Sequence, residues 1–297
     1  MEFKKITRET MPILKKYFSA WDIENADYNF TTLYLWGRHG KIRYAEEDGA
    51  LFLFYTFPDR PPFFTPPIPI TQDCDYKKHF DHAVEEMRKM GYKPSFRSVA
   101  PPFEQLIREA YPDMELTFTR DACDYIYATE SLMTLKGKKL HGKRNHINKF
   151  LEAQHNWEYC PINENNLHEC MALYNDWVET KDESTIEEYD ERITVELAVK
   201  HMTELGLVGA AIRINGEIRA FTVGEHISDD LALIHIEKAD AEINGLYPLI
   251  NREFITHEFP NTKFVNREDD MGLEGLRKAK LSYQPLRLIE KYQLDFD

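Results

Sequence analysis

"LVGAAIRINGEIRAFTVGEHISDDLALIHIEKADAEINGLYPLINREF", residues 207–254, decides the fold class. It reads first as a hairpin turning at Asn215-Gly216, a dipeptide that accepts positive φ at both turn positions. The apolar strand "LALIHIEKA" follows. A helix then opens near Pro248, with Asn244 ahead of it. The next apolar run, "TKFVNRE" (262–268), reads as one more strand. Three strands, a crossover helix and a strand imply a mixed sheet packed against helices, an α/β arrangement.

Working outward, "WEYCPI" is a strand, and "NLHECMALYNDWVET" and "ITVELAVKHMTEL" are helices. "GLEGLRKAKL" is a helical segment and "LRLIEKYQLDF" a closing strand. The first half has the same layout. "TRETMPILKKYF" is a helix, "KIRYAEEDGALFLFYTF" a hairpin turning at Asp48-Gly49, and "RPPFFTPPIPI" an extended edge or loop. "DYKKHFDHAVEEMRKMGY" is a helix closed by Gly91, "PSFRSVA" a strand, and "PPFEQLIREAYP" a short helix bracketed by prolines. "MELTFTRDACDYIYAT" supplies further strand material. The halves share layout, not residue identity. At 297 residues the chain exceeds the usual size of one domain. The expectation is two similar α/β domains with mixed sheets, residues 1–130 and 131–297, the boundary falling between Ala128 and Leu135.

Composition narrows the function classes. Hydrophobic residues at 42% and aromatics at 13% exclude a disordered chain. No apolar run approaches the roughly 18 residues that span a bilayer, so no transmembrane segment is expected. "MEFKKITRETMPILKKYF" lacks the apolar core of a signal peptide. Cys74, Cys123, Cys160 and Cys170 show no CxxC spacing, so neither structural zinc nor a disulfide framework is expected, and a cytoplasmic location fits. A formal net charge of −14 argues against broad nucleic-acid binding and against DNA as a partner.

Against that acidic background, "KGKKLHGKRNHINK", residues 136–149, gathers six Lys and Arg and no acid. On a helix, Lys139, Lys143 and His146 share one stripe, and Leu140, Ile147 and Leu151 a neighbouring one suited to packing. A charge run of this kind is either a solvated face or an anion site. Cations at a helix N-terminus oppose its dipole by roughly 0.3–1 kcal/mol each, a penalty that a bound phosphate would reverse. Lys139, Lys143, Arg144 and Asn145 are the candidate anion contacts. The anion would be a phosphate of tRNA, of a nucleotide or of a lipid head group.

"NREDDMG", residues 266–272, follows an apolar strand and precedes a helix, where open α/β sheets place ligands. Asp269 or Asp270 either caps that helix or joins a functional cluster. In the functional reading Glu268 or Asp269 holds an ammonium, and three adjacent acids raise one another's pKa until one can serve as a base. No His lies near in sequence and the spacing matches no ion-binding loop, so no metal is expected. Downstream, Arg277 and Lys280 stand at i, i+3 with Tyr283 following. They either clamp a phosphate or carboxylate or pair with the acids upstream.

Taken together, the order of elements resembles the GNAT N-acyltransferase fold used twice. "LKGKKLHGKRNHINKF" (135–150) and "VNREDDMGLEGLRKAKLSYQP" (265–285) resemble the C-terminal catalytic domain of phosphatidylglycerol lysyltransferases, a family similar to the Fem aminoacyltransferases. The lipid-modifying members carry a membrane-spanning half for which this sequence shows no counterpart. The resemblance implies transfer of an acyl or aminoacyl group to an amine or hydroxyl acceptor, with aminoacyl-tRNA as co-substrate and no resident cofactor. It implies a functional Lys at position 280. Glu268, Asp269 and Lys280 are then the catalytic candidates. Asn266, Arg267, Asp270, Tyr283 and Glu237 are substrate contacts, and Arg277 joins the basic stretch in binding a tRNA acceptor end or a phosphorylated small molecule.

Acetyl-CoA-dependent GNAT enzymes carry a turn of the form R/Q-x-x-G-x-G/A whose N–H groups bind pyrophosphate. The matching segment here, residues 237–254, has Gly245 alone, with Asp240 and Glu242 beside it. Acetyl-CoA is therefore the less favoured donor. His235 and Glu237 alternate with Ile234 and Ile236, either lining a cleft or satisfied within the sheet. No GxSxG elbow or Ser-His-Asp order is present. Direct transfer needs neither, because a carboxylate can take the proton while backbone N–H groups hold the oxyanion. Two further readings stand beside this one: a CoA-dependent N-acetyltransferase whose loop has drifted, and a non-catalytic anionic-ligand-binding protein that keeps the fold.

Overall fold

A computed structural model of the chain describes residues 1–154, 156–179 and 186–296. They form two compact units. The first comprises residues 1–124, 269–273 and 288–297, and the second residues 125–268 and 274–287.

The first unit opens with β1 (Lys4–Lys5), α1 (Met11–Phe18) and α2 (Phe30–Trp36). Strands β2 (Ile42–Glu47) and β3 (Ala50–Tyr55) form the expected hairpin, with Asp48 at φ 50° and Gly49 at φ 76° in the turn. The Pro-rich stretch yields β4 (Phe63–Phe64) and β5 (Ile68–Pro69). Not all of it is edge or loop: β4 pairs β3 on one side and β6 (Ser95–Val99) on the other. Two phenylalanines carry that interior strand while the prolines fall outside it, so no ladder donor is lost. Between them runs α3 (Tyr76–Lys89), capped by Asp75 and followed by Gly91 at φ 82°. Then come α4 (Phe103–Ala110) and β7 (Thr117–Phe118). Phe52, Phe64, Phe80, Phe96 and Phe103 fill this core, with the Phe80 and Phe96 rings 4.4 Å apart.

The second sheet begins with β8 (Asp124–Ala128), followed by α5 (Thr129–Thr134), α6 (His141–Ala153) and β9 (Trp157–Pro161). Next are α7 (Leu167–Glu179), α8 (Ile186–Lys200) and α9 (Met202–Leu205). Thr180, the expected end of α7, lies outside the described residues. Strands β10 (Val208–Ile214) and β11 (Glu217–His226) turn at Asn215 and Gly216, both at positive φ. They are followed by β12 (Leu231–Ala239), α10 (Leu246–Glu258), β13 (Phe264–Asn266), α11 (Glu274–Leu281) and β14 (Arg287–Ile289). The sheet runs β14-β8-β13-β12-β11-β10-β9, and it is mixed because β12 and β13 are parallel.

"LRLIEKYQLDF" is two strands, not one. Its first half is β14. Its second, β15 (Tyr292–Asp295), pairs β6 and β7 in the first sheet. The break falls at Lys291, whose side chain is 1% exposed and bound to acids of the first unit. The chain thus returns to its first unit, an arrangement that a linear division at residue 130 does not express.

Candidate functional site

In the second unit, β11 and β12 pair with Val223 opposite Ile236 and Gly224 opposite Ile234. His235 is left over: it is the extra residue of a β-bulge. Bulges take a residue's backbone out of the ladder and re-aim its side chain. The His235 imidazole lies 2.8 Å by Nε2 from Glu225 Oε1 and 3.0 Å by Nδ1 from Glu268 Oε1. The His235 and Glu225 side chains are 5% and 4% exposed, whereas Glu268 is 31% exposed. Burial works against a charged imidazole, but the hydrogen bonds and charges of the two glutamates outweigh it and carry His235 up to about 9. At neutral pH the ring is an imidazolium donating to both carboxylates, and Glu268 alone presents free lone pairs outward.

Local structure holds Glu268 there. It sits at φ 56°, a left-handed conformation uncommon for a non-glycine residue. Its N–H donates to Asn266 Oδ1 at 2.7 Å, and its carbonyl accepts from Tyr125 N. Lys280, 9% exposed, donates through Nζ to the Arg267 carbonyl, bracing the peptide that leads into Glu268. Tyr127 Oη in turn donates to the Lys280 carbonyl at 2.8 Å.

A second cluster stands on Glu237, two residues beyond His235 on β12, and on Arg267, next to Glu268 just after β13. Arg267 Nη2 donates to Glu237 Oε1 at 2.9 Å, and Asn251 Nδ2, from α10, donates to Glu237 Oε2 at 2.8 Å. The Tyr283 ring has the Arg267 guanidinium 4.7 Å and the Lys143 ammonium 4.0 Å from its centroid. Burial, then the neighbouring Arg267, lowers the Lys143 ammonium to about 8, with Glu237 pulling the other way.

With that geometry in place, likeness to known proteins can be weighed. Residues 20–294 match the family described as phosphatidylglycerol lysyltransferase, C-terminal. The chain belongs to this family. A conserved protein of unknown function from Bacteroides thetaiotaomicron, known as a crystal structure, is 32% identical over the whole of both chains, with a TM-score of 0.91. The C-terminal domain of a putative lysylphosphatidylglycerol synthetase from Agrobacterium fabrum is 14% identical, with 98% and 93% of the two chains covered and a TM-score of 0.65. FemX is 10% identical, with 100% and 98% covered and a TM-score of 0.60. At those identities the last two show the fold alone: two mixed-sheet units, the tandem GNAT-like architecture expected from the sequence. An uncharacterised protein of Mycoplasmoides gallisepticum is 28% identical over 171 residues, 57% of this chain and 54% of that one, so the match spans about half the length of that curated relative.

In this phosphatidylglycerol lysyltransferase C-terminal family member, Glu268, Asn266, Arg267, Lys280, Tyr283, Glu237 and Lys143 come together in the second unit. Other expected residues make contacts elsewhere. Asp270 is fully buried in the first unit, 3.2 Å from Arg120, and its Oδ1 accepts from Gly272 N. Asp269, also in the first unit, accepts from Met271 N. Arg144 donates to the carbonyls of Leu135 and Gly137, so its charge closes the end of α5. Asn145 lies 3.3 Å from His141 on its own helix, and Lys139 is exposed ahead of α6, which begins at His141. Arg277 is half-buried on α11. Sequence reasoning missed Glu225 and Asn251. A glutamate inside the apolar run "FTVGEHI" was the available signal for the first.

Proposed function

We propose that this protein is an aminoacyltransferase working by direct transfer, with Glu268 taking the proton from the attacking group. The observation that carries the reading is the Glu225–His235–Glu268 chain, with two members buried and the third presented outward on a left-handed residue. An amine or hydroxyl of the acceptor attacks the ester carbonyl of an aminoacyl-tRNA. The new C–N or C–O bond forms and the ester bond to the terminal ribose oxygen breaks. The proton leaves the nucleophile for Glu268 and is delivered to the departing ribose oxygen. Asn266 and Lys280 act as positioning residues, because both hold the Arg267–Glu268 peptide, one at its N–H and the other at its carbonyl.

The donor reading rests on family membership and on Gly245. A Cβ there would stand 2.2 Å from the His146 carbonyl oxygen, so the start of α10 faces a carbonyl of α6. A pyrophosphate would meet negative charge from that oxygen and from Asp240 and Glu242. An acetyl-CoA-dependent reading is weaker for that reason. Among the described residues no helix is long and apolar enough to cross a membrane. We take the protein to be cytoplasmic and to meet a tRNA acceptor end or a phosphorylated small molecule at local cations; its net charge of −14 weighs against a broad nucleic-acid surface, and so against DNA as a partner.

The test supplies radiolabelled aminoacyl-tRNAs with small amines or anionic phospholipid vesicles as acceptors. The expected result is label transfer that falls at least about a hundredfold in Glu268→Gln, the scale of a lost acid–base group. Absence of transfer with every aminoacyl-tRNA, together with acetyl transfer from acetyl-CoA, would overturn the reading.

A further inference from the structure

The cluster beside the Glu268 turn is left with more positive charge than its partners satisfy. Lys143 and Arg267 face one carboxylate, Glu237, and both oxygens of that carboxylate are already engaged, by Arg267 and Asn251. Arg267 Nη1 is buried with no hydrogen-bond partner among the described residues. Lys143 lies over the Tyr283 ring, with no carboxylate within ion-pair distance among the described residues. A buried charged donor without an acceptor is costly, and folded proteins leave few of them. Two cations beside one aromatic ring, one with an idle N–H, suit an oxyanion that supplies the missing acceptor.

We propose that Lys143 and Arg267, both beside the Tyr283 ring, form a binding subsite for a compact oxyanion, a carboxylate or phosphate group of the molecule that reaches Glu268. This deepens the transferase reading and rests on it for the identity of that molecule. The subsite is built from α6, β12, α10 and the segments after β13 and α11, all in the second unit. Glu237 and Asn251 serve as positioning residues, since they fix the guanidinium and leave Nη1 as its unused donor. The Tyr283 ring lies beside both cations without neutralising either.

The experiment uses the full chain with sodium phosphate and sodium acetate as probes, each against sodium chloride at equal ionic strength. Binding is read by calorimetry. In parallel, acetic anhydride labelling of Lys143 is read by mass spectrometry with and without each probe. At least one probe is expected to bind saturably and to protect Lys143. Lys143→Met should weaken that binding at least tenfold, whereas Lys149→Met, an exposed change on the same helix, should leave it unaltered. Protection by phosphate alone assigns a phosphate group, and protection by acetate a carboxylate. No saturable binding by either probe, or equal binding in Lys143→Met, overturns the proposal. The labelling arm needs no substitution, so it decides the matter even if a variant fails to fold. Neither arm measures transfer: loss of transferase activity as the explanation would leave anion binding in place, and loss of anion binding would leave Glu268→Gln still to be judged on its own.

Discussion

His235 Nε2 lies 2.8 Å from Glu225 Oε1, and both side chains are almost wholly removed from solvent. The folded state therefore holds a proton on His235 up to about pH 9, against an ordinary imidazole value of 6.5. A group whose folded pKa is raised contributes its full stability below the unfolded value and loses it as pH rises through the folded one. The loss should fall between about pH 6.5 and 9 and is bounded by about 3–4 kcal/mol, from roughly 1.4 kcal/mol per unit. Lys143 runs the other way, since its lowered value means that burial is relieved above about 8. The contribution of His235 is isolated by urea midpoints of wild type and His235→Gln across this range. Wild type should lose more stability, and parallel curves would sink the assignment.

Gly245 and Gly137 have similar backbones, at φ 92° and 95°, in different surroundings. A Cβ on Gly137 would meet nothing within 4 Å, whereas on Gly245 it would strike the His146 carbonyl. Gly137→Ala should cost about 1–2 kcal/mol, the left-handed penalty alone. Gly245→Ala adds overpacking of about 1–3 kcal/mol. Denaturation of the two variants side by side checks this, and equal costs would mean that α6 shifts freely away from α10.

Lys143 and Arg144 are neighbours in sequence with separate duties. Arg144 serves the carbonyls of Leu135 and Gly137, and Leu135 itself sits at φ 48°. Arg144→Gln should lower stability by about 1–2 kcal/mol, toward the lower end for a charged hydrogen bond because the side chain is partly exposed. It should leave phosphate or acetate affinity unchanged. Lys143→Met should do the reverse, lowering affinity while leaving the urea midpoint unchanged or raised. If both variants behave alike in both measurements, the division is wrong.

What the sequence revealed and what it hid follow from distance along the chain. The turns at Asp48-Gly49 and Asn215-Gly216 were legible because positive φ at adjacent residues is a local demand of turn chemistry. So was the family motif around Glu268. The interior strand Phe63–Phe64 was not, because flanking prolines signal an edge while the pairing depends on two residues between them. The Glu225–His235 contact required the bulge, a one-residue change of register that no periodicity announces. Arg144 shows a further limit: residue type declares a charge but not whether a ligand or a carbonyl will meet it.

Lys291 and Asp27, 264 residues apart, show the same limit at its extreme. Lys291 Nζ lies 2.8 Å from both Asp27 Oδ2 and Asp124 Oδ1, with Lys291 and Asp124 each 1% exposed. Asp124 Oδ2 also accepts from Ala26 N, and Asp27 accepts from Ser98 Oγ. The carboxylates raise the lysine above its ordinary value despite its burial, so it stays charged. Forming such a buried pair need not stabilise a protein, because desolvation offsets attraction, but removing one partner strands the other charge at about 3–5 kcal/mol. Lys291→Met should therefore be among the most destabilising single changes in the first unit. Adding Asp124→Asn should recover part of the loss, since the amide can keep one hydrogen bond without a charge to solvate. The single variant should also fare relatively better at acid pH, where Asp124 can take a proton. Urea midpoints of wild type, single and double variants at neutral and acid pH measure all three effects. A cost below about 1 kcal/mol for Lys291→Met, the scale of a surface ion pair, would show that water reaches the site and that the network does not hold the returning chain in place.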